Sequence, residues 1–261
     1  MSVCCLIPAR LESSRLPRKL LLSETGKPLI QHTWEAAQAS SAIDEVIVAT
    51  DSPEIAAVVR EFGGRVEMTG EHASGTDRIA VVVRRSCADA TLIVNLQGDE
   101  PEIDAADLDS LISMLFDDPR CEMATLATPI TDPHILADPS CVKVVRATDG
   151  RALYFSRAAV PHCRDGSPDD WLRSQPYPLD SPWLLHLGVY AYRREFLLAF
   201  TEWPPSRLEQ LEKLEQLRAL EAGATIQVGI VPRASVGIDT REDYARFVAR
   251  RVESRESRVE S

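Results

Sequence analysis

Apolar runs and charged, turn-forming stretches alternate along this chain, and the period of the alternation predicts its elements. Val3 to Pro8, Glu45 to Thr50 and Thr91 to Val94 are nearly unbroken apolar runs of strand length. Such runs suit strands buried on both faces of a parallel sheet. Between them, Pro28 to Ala39, the segment opened by Asp51-Ser52-Pro53-Glu54, Asp77 to Arg85, and Ala105 to Phe116 read as helices. Ser52 suits an N-cap and Pro53 the first helical position, where its missing N–H is no loss. Gly63-Gly64 ends that helix, and a short strand near Arg65 to Met68 follows. Alternating strands and helices favour an α/β fold, a mainly parallel sheet with helices on both faces.

The second half changes character. Met123 to Ile130 and Val142 to Arg146 look extended, and Asp149-Gly150 marks a hairpin joining Val142–Val145 to Ala152–Phe155. Residues from about Cys163 to Trp183 are rich in Pro, Asp and Ser and read as a long surface loop. His186 to Arg193 alternates as a strand. Ser206-Arg207-Leu208-Glu209 is a capping box that opens one helix ending at Gly223, with Leu208, Leu211, Leu214 and Leu217 as its packed side. Thr225 to Val231 and Val236 to Asp239 read as late strands, and a last helix starts at Thr240. The tail from Arg251 repeats Arg-Val-Glu-Ser without apolar periodicity, so 251–261 is expected to be a flexible end. No linker separates two cores. Residues 1–250 are read as a single domain, with the hairpin as a subdomain or dimerisation arm.

Composition narrows the partners. Forty acids against 29 bases give a formal charge of −11, which argues against nucleic acid, whose phosphates demand a basic surface. A local basic pocket inside an acidic protein can still take an anionic small substrate. The six cysteines form no CxxC pair and have no neighbouring His cluster, so they read as reduced thiols of a cytosolic protein rather than a zinc site. No segment is long enough to span a bilayer, and the N-terminus lacks the pattern of a signal peptide.

Chemistry concentrates at strand ends. Asn95-Leu96-Gln97-Gly98-Asp99-Glu100-Pro101 follows a buried strand, and ligands in open α/β sheets bind at that end. Asp99 can hold Mg²⁺ on a nucleotide, or be a plain helix-start acid. The first βα connection, Pro8 to Lys19, carries Arg10, Arg15, Arg18 and Lys19 with Ser13 and Ser14. Fixed cations and donors of this kind suit a triphosphate that gains charge as pyrophosphate leaves, although a solvated basic turn also accounts for them. It is not a Walker A loop, since the Gly-rich GxxxxGK[ST] pattern is missing. Gly75-Thr76-Asp77-Arg78 can present N–H groups to a base or phosphate, or Thr76 can simply cap a helix. Asp239 ends a strand, as a second metal carboxylate or a dipole-matched acid. Arg157 can pair with a carboxylate and His186 can donate to a sugar hydroxyl, while Glu215 and Gln216 lie on the flanks of their helix.

Taken together, the segments IPARLESSRLPRKLL, VIVATD, GTDRIA, IVNLQGDEP, VKVV, ALYFSRAAVP, HLGVYAYR, LEQLEKLEQLRALEAG and GIDTREDY resemble the 3-deoxy-manno-octulosonate (Kdo) cytidylyltransferases, in the family's order and over nearly the whole chain. The resemblance implies a Rossmann-like, nucleotide-diphospho-sugar-transferase type domain. It also implies a homodimer, with CTP and Kdo as substrates, CMP-Kdo and pyrophosphate as products, and Mg²⁺ as cofactor. The setting it implies is lipopolysaccharide assembly in the cytoplasm. It implies Arg10, Ser14, Arg15 and Lys19 for the triphosphate, Gly75, Thr76 and Arg78 for cytosine and ribose, and Asp99 and Asp239 for the metal. Gln97, Arg157, His186, Glu215 and Gln216 would hold the sugar acid, Gln97 also touching nucleotide, and Lys19, Arg10, Asp99 and Asp239 would be catalytic. Arg18 stands where the family commonly has Gly, Leu20 where it has Pro, and Asp77 where it has Glu. An 8-amino-Kdo or another ulosonic acid would need few changes. A glycosyltransferase releasing no pyrophosphate, or a nucleotide sensor without turnover, are the readings from other classes.

Overall fold

The apolar runs become the inner strands of an α/β structure. A computed structural model describes residues 2–174 and 181–259, with side chains up to residue 253 at that end. The chain forms two compact units, Met1–Asp109 with Ser235–Ser261, and Ser110–Ala234.

In the first unit β1 (Ser2–Ala9) leads through a 3-10 turn (Lys19–Leu21) to α1 (Leu29–Gln38), β2 (Glu45–Thr50), α2 (Pro53–Glu61), β3 (Arg65–Met68), α3 (Gly75–Ser86), β4 (Ala90–Asn95) and the start of α4 (Ala105–Asp117), whose later residues belong to the second. The strands lie in the order β3-β2-β1-β4, all parallel. Cys5, Leu6, Ile7, Ile47, Val48 and Ile93 have no solvent exposure, as the unbroken apolar runs predicted. Each such side chain contributes about 1.5–3 kcal/mol on burial. Ser52 caps α2, accepting from the Ile55 N–H at 3.3 Å, ahead of Pro53. The C-terminal helix, Arg241–Val259, starts at Thr240, whose hydroxyl accepts from the Asp243 N–H at 3.1 Å. That helix continues through the first Arg-Val-Glu-Ser and on to residue 259. Residues 236–239, expected as a strand, join no ladder; Ile238 N–H instead donates to the Asp99 carbonyl at 2.9 Å, so this segment is tied across the end of β4.

The second unit runs β5 (Met123–Pro129), α5 (Pro133–Ala137), β6 (Lys143–Arg146), β7 (Ala152–Ser156), α6 (Pro168–Ser174), β8 (Leu184–Arg193), α7 (Arg194–Phe200), α8 (Arg207–Glu212), α9 (Gln216–Glu221) and β9 (Ile226–Ile230). β5 pairs antiparallel with β8, placing Thr125 opposite Tyr190 and Ala127 opposite His186, and parallel with β9. β6 and β7 form the expected hairpin. Its turn needs glycine: Gly150 has φ +92°, and a Cβ there would lie 2.2 Å from Gln227 Nε2.

Three expectations are corrected in this unit. The stretch Cys163 to Trp183 is not all loop, since α6 lies within it. Ser167 accepts from the Asp170 N–H at 3.1 Å, with Pro168 in the first turn, so the Ser, Pro and Asp residues there are helix-start chemistry. Trp171 packs edge-on against the buried Trp183, 5.2 Å between rings. Residues 175–180 of that stretch lie outside the described residues. The helix expected from Ser206 to Gly223 is two helices, broken where Lys213 turns left-handed at φ 55°. The capping box is present, with Ser206 N–H to Glu209 Oε2 at 3.0 Å and Glu209 N–H to Ser206 Oγ at 3.2 Å. The break rotates Leu211 out, 79% exposed, while Leu214 and Leu217 stay buried. Among the described residues no helix is long and apolar enough to cross a membrane.

Candidate active site

The first unit gathers charge at the carboxyl ends of β1 and β4. A cavity of about 410 Å³ opens there, lined by Arg10, Ser14, Arg15 and Lys19 of the β1 connection, Gly75 of α3, and Gln97 and Asp99 after β4. Arg10 and Ser14 are exposed at its wall. Arg18, left-handed at φ 56°, turns the chain into the 3-10 turn that carries Lys19 inward. The Lys19 ammonium has three protons and three acceptors: the Asp99 carboxylate, Asp239 Oδ1 at 3.0 Å and the Ile238 carbonyl at 3.0 Å. Arg15 Nη2 lies 3.0 Å from the other oxygen of Asp239. Two acids 140 positions apart in the chain therefore meet on one cation. Burial opposes the charge on Lys19, but the two carboxylates outweigh it and hold its pKa above the ordinary lysine value.

Glu100, beside Asp99, was not singled out in the sequence. Burial pushes its carboxyl up to about 7; the Ser235 hydroxyl, donating to Oε2 at 2.6 Å, works against this, and Asp99 and Asp239 add to the rise. Its position directly after Asp99, in the one loop that also faces Ser235, is the signal that was available.

The start of α3 forms another wall. Ser74, not Thr76, is its N-cap, accepting from the Asp77 N–H at 3.0 Å. Thr76 is buried in the first turn. Gly75 allows close approach, because a Cβ there would sit 3.3 Å from Pro8 Cγ. Arg78 is 1% exposed, and its guanidinium donates to Asp51 Oδ2 and to Thr69 Oγ1, each at 2.6 Å. It thus anchors Asp51, at the end of β2, in a neighbouring cavity of about 520 Å³ that also holds Arg10 and His72. Asp51 was missed as a site-facing residue although it follows a buried strand just as Asp99 does. Gln97 Nε2 donates to Asn95 Oδ1 at 3.3 Å, which points its carbonyl end away from that contact.

The remaining candidates, Arg157, His186, Glu215 and Gln216, belong to the second unit. Arg157 leaves β7 and its guanidinium is held by backbone: Nε to the Glu212 carbonyl at 2.7 Å, Nη1 to Pro139 at 3.0 Å and Nη2 to Lys213 at 3.4 Å. The break at Lys213, invisible in the sequence pattern, is what presents the Glu212 and Lys213 carbonyls. His186 Nε2 lies 3.0 Å from Thr125 Oγ1, whose proton has two backbone carbonyls in reach, Val189 at 2.8 Å and Leu187 at 3.1 Å. The ring therefore donates from Nε2 and leaves Nδ1 as an acceptor. Burial lowers its pKa to about 3, so it is neutral, and it meets Phe155 edge-on at 5.0 Å. The expected donor to a sugar hydroxyl is thus turned to Thr125. Glu215 lies 3.5 Å from Arg218, and Gln216, expected on a flank of the helix, is 4% exposed.

This parallel sheet, with a cationic loop and two acids at its carboxyl end, defines a nucleotidyl-transfer class of site, and comparison with known proteins places the chain within it. The cytidylyltransferase family model matches residues 4–226, and the chain belongs to that family. A 3-deoxy-manno-octulosonate cytidylyltransferase of Rhodopirellula baltica is 52% identical over 251 residues, 96% of this chain and 98% of that protein. Another, of Syntrophotalea carbinolica, is 48% identical over 95% of this chain and 98% of its own length. A solved structure of CMP:2-keto-3-deoxy-manno-octonic acid synthetase complexed with CTP is 40% identical with a TM-score of 0.88, covering 97% of this chain and all of that one. Within its family the chain belongs with the 3-deoxy-manno-octulosonate cytidylyltransferases.

Proposed function

We propose that this chain transfers the cytidylyl group of CTP to the anomeric hydroxyl of Kdo, giving CMP-Kdo and pyrophosphate. The observation that carries the reading is the Lys19 ammonium held between Asp99 and Asp239 in a cavity walled by Arg10, Ser14 and Arg15. An in-line displacement at the α-phosphorus needs cations where the pyrophosphate departs, fixed before the reaction. Lys19 and Arg15 are fixed by carboxylates, while Arg10, whose Nη2 donates to the His72 and Ala73 carbonyls at 3.3 and 3.4 Å, is placed to take phosphate oxygens. Ser14 adds a hydroxyl donor. Gly75 and Thr76 offer the opening of α3 to the nucleoside, Arg78 holds Asp51 beside it, and Gln97 closes the floor. Arg157, His186, Glu215 and Gln216 are assigned to the sugar acid, Arg157 by pairing with its carboxylate and His186 through Nδ1.

Asp99 and Asp239 are hard oxygen donors that already share one cation, and their chemistry fits Mg²⁺, which takes one or two carboxylates and completes its shell with phosphate oxygens and water. Bound there, Mg²⁺ would neutralise phosphate charge and lower the pKa of the attacking hydroxyl. The reading extends to a single cytidylyltransferase domain over 1–250, a homodimer formed through the β6–β7 arm, and supply of CMP-Kdo for lipopolysaccharide in the cytoplasm. Pyrophosphate release by the purified protein with CTP and a panel of Kdo, 8-amino-Kdo and sialic acids tests it. Release with Kdo is expected; release only with another acid moves the assignment to that sugar, and no release with any removes it.

A further inference from the structure

Lys143, in β6, is buried without exposure, and among the described residues its ammonium hydrogen-bonds to no carboxylate, Asp138 and Glu212 acting on it only through space. Its three protons go to three backbone carbonyls: Asp138 at 2.9 Å, Cys141 at 2.5 Å and Arg157 at 2.6 Å. Burying an ammonium is costly, and these carbonyls come from the loop before β6 and from the residue that leaves β7. A methylene chain of the same length would fill the volume at no such cost. What the charge adds is a fixed point at which loop 138–141 and the Arg157 backbone are pinned together. Arg157 is gripped again from two sides: its guanidinium reaches the Pro139 carbonyl of that same loop, and Glu212 accepts from its N–H at 3.0 Å and from Ser156 Oγ at 2.7 Å. With its backbone held by Lys143 and Glu212, and its head group held by Pro139, Glu212 and Lys213 carbonyls, Arg157 has one orientation.

We propose that Lys143 is a positioning residue for the sugar-acid site: it sets the Arg157 guanidinium through the Arg157 carbonyl and the 138–141 loop, without touching substrate. The inference rests on the assignment of Arg157 to the sugar carboxylate. Displacing a positioned group by about 1 Å can cost up to about 100-fold. Lys143→Met, which keeps the volume, is therefore expected to raise KM for Kdo by about 10- to 100-fold. KM for CTP should stay within about twofold, because the nucleotide residues belong to the other unit. Glu212→Ala, at a partly exposed position, removes both acceptor oxygens of the second backbone grip and gives the same split if Lys143→Met does not fold. Arg157→Ala is the reference variant. If Arg157→Ala leaves KM for Kdo unchanged, the assignment of Arg157 fails and this inference with it. If Arg157→Ala raises it and both Lys143→Met and Glu212→Ala fold without the split, or lose only thermal stability, the positioning role alone is overturned.

Discussion

Two lysines, one in each unit, solve the same problem in opposite ways. Lys19 gives its protons to two carboxylates and one carbonyl; Lys143 gives its three protons to carbonyls. A carboxylate cluster can exchange partners, since an arriving phosphate or dication competes for the same charges. A carbonyl cradle cannot exchange charge, because it has none, and so it fixes geometry. The first arrangement suits a site where charge is redistributed during reaction. The second suits a residue whose work is to hold geometry, as it does for the Arg157 backbone.

Removing an acid from the exchanging cluster should have the largest effect. Asp99→Ala is expected to lower turnover by on the order of 100-fold or more in a pyrophosphate-release assay, by analogy with loss of a preorganised transition-state contact. Turnover within a few-fold of the parent protein would mean that Asp99 is only a helix-start acid.

The two units should also answer pH in opposite directions. His186 has a pKa near 3 against an ordinary 6.5, so the unfolded chain takes up its proton first. The stability it contributes is complete above pH 6.5 and is lost as pH falls towards 3, by about 2 kcal/mol at pH 5. His186→Gln should flatten that acid slope in urea midpoints measured at pH 7.5 and 5. Glu100 is raised from 4.5 to about 7, so its contribution is complete below 4.5 and is lost as pH rises through 7. Glu100→Gln should flatten the other side of the profile. Equal slopes in parent and variant on either side would remove that group from the comparison.

The smallest expected effect concerns the loop that carries Lys19. Arg18 has a left-handed backbone, at a cost of roughly 1 kcal/mol for a residue with a Cβ, and is paired with the exposed Glu54. An exposed pair contributes about 0–1 kcal/mol. Arg18→Gly should therefore raise the thermal midpoint slightly, by about 2–3 °C at most. A drop of similar size would show that the Glu54 pair, rather than backbone strain, governs this turn.

The inner strands were legible in the sequence because burial on both faces leaves an unbroken apolar run, and β2 and β3 begin and end at the residues expected, Glu45–Thr50 and Arg65–Met68. Caps were legible where a hydroxyl precedes proline, as at Ser52, and less so where two hydroxyls compete, as Ser74 and Thr76 do before α3. The candidate site residues stood out as motifs at strand ends, and the comparisons with relatives support the same family assignment. By itself, then, the sequence determined which strands are buried, which residues carry charge at their ends, and the family. Only the tertiary structure decided that Asp99 and Asp239 share Lys19, that Lys213 breaks a leucine-bearing helix so that its carbonyl and that of Glu212 meet Arg157, and that His186 donates to Thr125. Those outcomes depend on hydrogen bonds between segments up to 220 positions apart, which local pattern does not encode, because a buried donor takes whichever acceptor the fold brings within reach.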